Sequence, residues 1–221
     1  FMEYKDIEKW FDSNKEGTLR NSNSSSHLDR IANYILEKCE FGEGCRILEV
    51  GCGDGMILAS IKDKRPDLMI KGLDISSKQI NKARLLMPNI GFYVGNFLEI
   101  EIKEEFDAVF SFSTFQYIKK ADVNAFNDKC LDIVGPSGKA HHLSIPNTQF
   151  RRDYYYKNLQ GKNSTLVNWL LSLLKNLSSN YGKDGSNWHD PNFIKKSSLR
   201  SEVIIDCPSD SWYRFNFHLV K

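Results

Sequence analysis

The sequence predicts a doubly wound α/β domain built on a mostly parallel sheet. Three observations predict it. Short apolar runs alternate with stretches of helical spacing, a cluster of glycines ends the first of those runs, and the last two runs lie too close together for a crossover. Strands buried on both faces read as near-continuous apolar runs, and helices between them supply the cover.

Residues 2–26 hold "YKDIEKWF" and then the polar run "NSNSSS", read as an N-terminal helix and a flexible lid ahead of a domain at 27–221. From His27 to Cys39, Leu28, Ile31, Ala32, Ile35 and Leu36 fall at helical spacing. "RILEV" (46–50) is the first strand, and Gly55–Lys64 the helix after it. "LMIKGLD" (68–74) is a second strand, followed by a helix over Ser76–Met87 that Pro88 closes. "GFYVG" (91–95) and "FDAVFSFS" (106–113) are the third and fourth strands. A helix over Ala121–Val134 is closed by "GPSG", and "KAHHLSIP" (139–146) is the fifth strand.

The alternation then stops. The stretch at about 147–190 shows no strand and is expected to be a helical cap inserted after the fifth strand. It contains "RRDYYYK" and an apolar helix, "LVNWLLSLLKNL" (166–177), expected to pack on the sheet or in a dimer interface. "EVIIDC" (202–207) and "WYRFNFHLV" (212–220) are joined only by Pro208 to Ser211, so they should pair antiparallel.

Composition narrows the function classes. With 41% apolar and 26% charged residues in 221, the chain has a core to bury and is not disordered. No apolar run approaches the roughly 20 residues that span a membrane. No basic-then-apolar leader opens the chain, and Phe1 ahead of Met2 is read as extraneous. Five cysteines, an odd number without CxxC spacing, read as reduced thiols of a cytoplasmic protein and give no metal site. A net charge of +2 gives no case for nucleic acid, although residues 150–221 hold eleven Lys/Arg against six Asp/Glu, which favours an anionic partner there.

"ILEVGCGDGMILASI" (47–61) carries the chemistry. Glycines between a strand and a helix allow a tight turn and let a ligand approach the backbone. The dinucleotide pattern G-x-G-x-x-G requires a glycine where Met56 stands; here the third glycine is Gly55, and Glu49 sits two before the first. This stretch resembles the E/D-x-G-x-G-x-G signature of class I S-adenosylmethionine-dependent methyltransferases.

That resemblance implies a Rossmann-like, seven-stranded sheet with its last strand reversed, and S-adenosyl-L-methionine as cofactor. It places Glu49, Gly51, Cys52 and Gly53 at the methionine end of the cofactor. It puts Asp74 and Ile75, in "GLDIS", at the ribose and Asn96 and Phe97, in "GNFLE", at the adenine. It makes Ser111 a cofactor-binding residue within "FDAVFSFSTFQYI", which matches the family's fourth strand and the cofactor-flanking turn beyond it. The adenine position is more often Asp, but Asn can still accept from the amine through its side-chain oxygen. Ser76 and Ser77 are free to cap the helix after Asp74.

The acceptor is expected to be a small molecule, an anionic sugar or nucleotide-linked precursor of a surface polysaccharide, met by Gln116, Arg151, Tyr155 and His189. The [DNS]-P-P-[YFW] signature of amino-methylating DNA enzymes is absent, with Ser111–Thr114 in its place. His189 precedes Asp190 and Pro191, a cap and helix start; it reads either as a helix-entry histidine packed against Trp188 or as a general base at that rim, which an imidazole suits. A monomer or homodimer is expected. An NAD(P)-dependent reductase and a non-catalytic cofactor-binding partner of another methyltransferase are the alternatives.

Overall fold

The computed structural model describes residues 3–13, 25–151, 153–154, 187–198, 200–207 and 213–221. In chain order the elements are α1 (Tyr4–Ser13), α2 (Ser25–Cys39), β1 (Arg46–Val50), α3 (Met56–Lys64), β2 (Met69–Asp74), α4 (Ser77–Leu86) and β3 (Gly91–Val94). They continue with β4 (Phe106–Phe112), α5 (Val123–Ile133), β5 (Val134–Pro146), α6 (Pro191–Ser197), β6 (Glu202–Asp206) and β7 (Arg214–Val220). The seven strands lie in the order β3-β2-β1-β4-β5-β7-β6. All pairings are parallel except those of β7, which runs against both β5 and β6. The fold is therefore the Rossmann-like, doubly wound sheet with a reversed last strand.

Period-two alternation divides the core into two layers. Ile47, Ala108 and Phe110 face Ile31 and Ile35 of α2, Leu58 and Ile61 of α3, and Ile80 of α4. Leu48, Val50 and Val109 face the other way, toward Phe126 and Leu131 of α5 and Ile194 of α6. His141 and His142 split between the faces as neighbours on a strand must. His141 meets Phe41 and His218, whereas His142 packs against Phe115, Phe126 and Phe217.

Several boundaries differ from the sequence reading. Helix α2 begins at Ser25, not His27, so the end of the serine run is helical. Val134 already pairs with Phe106, and pairing resumes at Lys139 opposite Ala108. Gly135–Gly138 is thus an excursion within β5 and not a loop before it. Strand β4 stops at Phe112 because Ser113 takes φ 53° and turns the chain away. Of the expected cap, a 3-10 turn over Thr148–Phe150, Arg151, Asp153–Tyr154 and the returning residues 187–190 are described. The apolar stretch 166–177 lies outside the described residues.

Strand order reverses between β1 and β4. Open α/β sheets bind ligands at such a point, beyond the carboxyl ends of the strands. The segments that leave β1 and β4 there are the glycine loop and residues 113–118.

Candidate active site

At this switch point lies a cavity of about 440 Å3. Its floor is the loop after β1, where Gly51, Gly53 and Gly55 all have positive φ (81°, 55° and 79°). The Gly51 and Cys52 amides donate to the Leu73 carbonyl, which ties the loop to β2. A Cβ at Gly51 would stand 2.2 Å from Thr114 Oγ1, so the segment after β4 leaves no room for a side chain. A Cβ at Gly53 would meet nothing within 4 Å, and Gly53 lines the cavity. The two glycines therefore serve different ends: one for packing, one for an open approach.

Two buried carboxyls face this cavity. Glu49 is 1% exposed, and its Oε2 has no hydrogen-bond partner among the described residues. Burial, followed by the negative charges of Asp74 and Asp54, pushes its carboxyl well above the usual range. Asp74 ends β2, where Oδ2 accepts from the Gly53 amide at 2.8 Å and Oδ1 from the Ser76 amide at 2.9 Å. Burial pushes its carboxyl up to about 6, against those two hydrogen bonds. The helix-capping role falls to Ser76, whose hydroxyl oxygen accepts from the Gln79 amide at 3.1 Å. Asp74 itself lines the cavity. Glu49 Oε2, a buried carboxyl oxygen without a partner among the described residues, suits a cationic ligand with an ammonium donor.

Ile75 and Cys52 line the cavity beside these carboxyls, and Asn96 and Phe97 line it beyond β3. Asn96 also braces its own turn, accepting from the Leu98 amide at 3.1 Å and donating to Glu99 at 2.9 Å. Phe97 is core and lining at once, 4.9 Å from the Phe126 ring. Helix α1 contributes Tyr4, Ile7, Trp10 and Phe11. Its Asp12 carboxylate accepts from the Ser76 hydroxyl at 2.5 Å, and Lys78 Nζ donates to the Asp12 carbonyl at 2.9 Å. At the other end the Tyr4 hydroxyl donates to Asp122 at 2.8 Å.

Four expected contacts need correction or fall outside view. Ser111 does not line the cavity: it is fully buried and hydrogen-bonded to His142 Nδ1 at 2.9 Å, because strand parity points it into the α5 layer. Ser113 and Thr114 take the lining position instead. Arg151 stands off the cavity, and Tyr155 lies outside the described residues. His189 is not at the cavity either. It is 3% exposed, its ring is 5.1 Å from that of Phe115, and its amide donates to the Pro146 carbonyl at 2.9 Å. Burial lowers its pKa to about 4, so the ring is a neutral core group and not the base read from the sequence.

The local reading around His189 holds, with Asp190 capping α6 through the Asn192 amide and Pro191 at its start. Gln116 does line the cavity, its Nε2 donating to the Ser113 carbonyl at 2.7 Å. The sequence reading missed Arg214 and the apolar face of α1. Strand reversal places the first residue of β7 at the carboxyl edge of the sheet, a signal that was present in the short 208–211 connection.

A seven-stranded sheet with a reversed last strand, a glycine loop after β1 and carboxyls closing β1 and β2 is the arrangement of class I S-adenosylmethionine-dependent methyltransferases, and the chain has that fold. Residues 47–138 match the methyltransferase-domain family. Malonyl-[acyl-carrier protein] O-methyltransferase of Bacillus anthracis is 28% identical over 127 residues, 54% of this chain and 47% of that protein. Its counterpart in Acetivibrio thermocellus is 33% identical over 92 residues, 40% of this chain and 32% of that one. The chain thus spans less than half the length of these curated relatives.

Among solved structures, the magnesium protoporphyrin IX methyltransferase of Synechocystis with bound S-adenosylhomocysteine superimposes with a TM-score of 0.64 at 13% identity. The superposition covers 99% of this chain and all of that one. The cofactor of this domain is S-adenosylmethionine. The orphaned Glu49 carboxyl, the open Gly53 position and Asp74 all fit it. No helix among the described residues is long and apolar enough to cross a membrane.

Proposed function

We propose that the chain transfers a methyl group from S-adenosylmethionine to a small-molecule acceptor. The observation that carries this is the pairing of an unpartnered buried Glu49 carboxyl with an open glycine approach in one cavity. Bound there, the cofactor supplies an electrophilic methyl on a sulfonium whose thioether leaves readily. The chain's own residues orient and enclose. Glu49 would face the ammonium end, the amides at the start of α3, at Met56 and Ile57, would meet the carboxylate, and Asp74 would accept from the ribose hydroxyls. Asn96 and Phe97 flank the adenine. Orientation of this kind is worth up to roughly 7–11 kcal/mol for well-placed reactants.

The anionic sugar or nucleotide acceptor read from the sequence drew on Arg151 and Tyr155, and Arg151 does not reach the cavity. Gln116 remains as an acceptor-side residue. Five free cysteines support a cytoplasmic setting.

Helix α1 acts in this reading as a strap over the bound cofactor, held at Asp12–Ser76 and Tyr4–Asp122. Replacing Asp12 with alanine frees one end, and the dissociation rate of S-adenosylhomocysteine rises several-fold while the melting temperature changes little. A rate equal to wild type in stopped-flow measurements removes the strap from the account.

The activity is tested with methyl-labelled S-adenosylmethionine and a deproteinised small-molecule extract of the source cells. Label in a low-mass product supports the proposal; label confined to protein or nucleic acid contradicts it.

A further inference from the structure

Arg214 is the one cation among the described residues that line the cavity. Its place follows from topology. Because β7 is antiparallel, its first residue sits opposite Pro146 at the carboxyl end of β5. A bulge in β5 between His142 and Ile145, where Ser144 takes φ 64°, turns the Ser144 carbonyl toward the guanidinium. Nη1 of Arg214 donates to that carbonyl and lies 3.3 Å from the Ser144 hydroxyl. The guanidinium carbon stands 5.1 Å from the centre of the Tyr213 ring.

Those contacts hold the group in place and neutralise none of its charge. Its hydrogen bonds among the described residues go to Ser144 alone, leaving Nε and Nη2 without an acceptor. A half-buried cation of this kind gains most from an anion that takes the free donors in pairs, and a planar carboxylate matches the planar fork. The cofactor's own carboxylate would meet the amides at the start of α3, beside Met56 and Ile57 on the cavity wall. Strand β7 lies two strands beyond β4, roughly 10 Å at about 4.8 Å per strand, on the side of the cleft away from the glycine loop.

We propose that Arg214 seats the methyl acceptor through a carboxylate that the acceptor carries. This rests on the methyltransferase reading and adds the acceptor's chemical class to it. Gln116 also lines the cavity and offers the acceptor a neutral polar contact. The excess of cationic residues near the C-terminus thereby has one member with a defined job.

The test is calorimetric titration of the S-adenosylhomocysteine-saturated protein with acetate, malonate and benzoate, each against its amide, with inorganic phosphate as a further arm. Wild type should bind the acids at least about tenfold more tightly than the amides, the loss expected for a charge-assisted contact. Arg214→Gln should abolish that preference, and Arg214→Lys should keep only part of it, since an ammonium is a single point charge. Both variants should hold S-adenosylhomocysteine as wild type does. Acids and amides bound alike, including no binding of either, would overturn the proposal. So would a preference that survives Arg214→Gln, or phosphate bound more tightly than every acid. A matching loss of S-adenosylhomocysteine affinity in Arg214→Gln would overturn it too, by assigning Arg214 to the cofactor. Failure of wild type to bind S-adenosylhomocysteine at all would strike the methyltransferase reading instead.

Discussion

Asp74→Ala should weaken S-adenosylhomocysteine binding by at least tenfold. A carboxylate accepting from two ribose hydroxyls makes charge-assisted hydrogen bonds, each worth about 1.5–3 kcal/mol before relaxation. The same substitution deprives the Gly53 and Ser76 amides of their acceptor, so some loss of stability accompanies it. Asp74→Asn separates the two effects, because the amide keeps one acceptor oxygen and loses the charge. The pH dependence has a definite sign. With the Asp74 carboxyl titrating near 6 in the free protein, ribose binding to the ionised form must expel a proton below that pH. Affinity should therefore be level at neutral pH and fall about tenfold per unit below 6.

For folding the sign is opposite. A carboxyl raised above its unfolded range near 3.9 favours the folded state when protonated, so its cost at neutral pH is relieved as pH falls through about 6. A cofactor dissociation constant unchanged by Asp74→Ala, measured by calorimetry, removes Asp74 from the ribose site.

Two glycines two residues apart should respond to substitution in different ways. Gly51→Ala places a Cβ within 2.2 Å of Thr114 and holds alanine at φ 81°. Left-handed backbone costs roughly 1–2 kcal/mol and forced overpacking another 1–3, so the variant should lose about 2–5 kcal/mol of stability. Gly53→Val meets no protein atom within 4 Å at its Cβ, so its folding cost should be confined to the backbone strain at φ 55°. Its branched side chain enters the cavity, and cofactor affinity should collapse while most of the stability remains. Denaturant unfolding alongside calorimetry reads both. If Gly53→Val binds S-adenosylhomocysteine normally, the loop is only a turn.

Much of this fold was legible because buried parallel strands must be apolar on both faces. The runs at 46–50 and 106–113 read as strands for that reason, and Gly51–Gly55 marked the ligand loop through backbone conformations that other residues avoid. The misreadings have a common physical origin. Asp190 and Pro191 specify where α6 starts, but which way the neighbouring His189 ring turns is set by Phe115, over seventy residues earlier in the chain. Ser111 lies on the right strand with the wrong parity, and the chain opens toward the ligand only at Ser113, where φ turns positive. The amphipathic N-terminal stretch is locally helical, yet its partners, Ser76 and Asp122, lie far away in sequence and no local spacing reveals them.

The central claim is that the glycine-loop cavity is built for S-adenosylmethionine and not for a dinucleotide. Parallel calorimetric titrations of the wild-type chain with S-adenosylhomocysteine, NAD and NADP test it most directly. The account predicts one saturable site for S-adenosylhomocysteine and no measurable heat from either dinucleotide. Saturable binding of NAD or NADP with none of S-adenosylhomocysteine would contradict it.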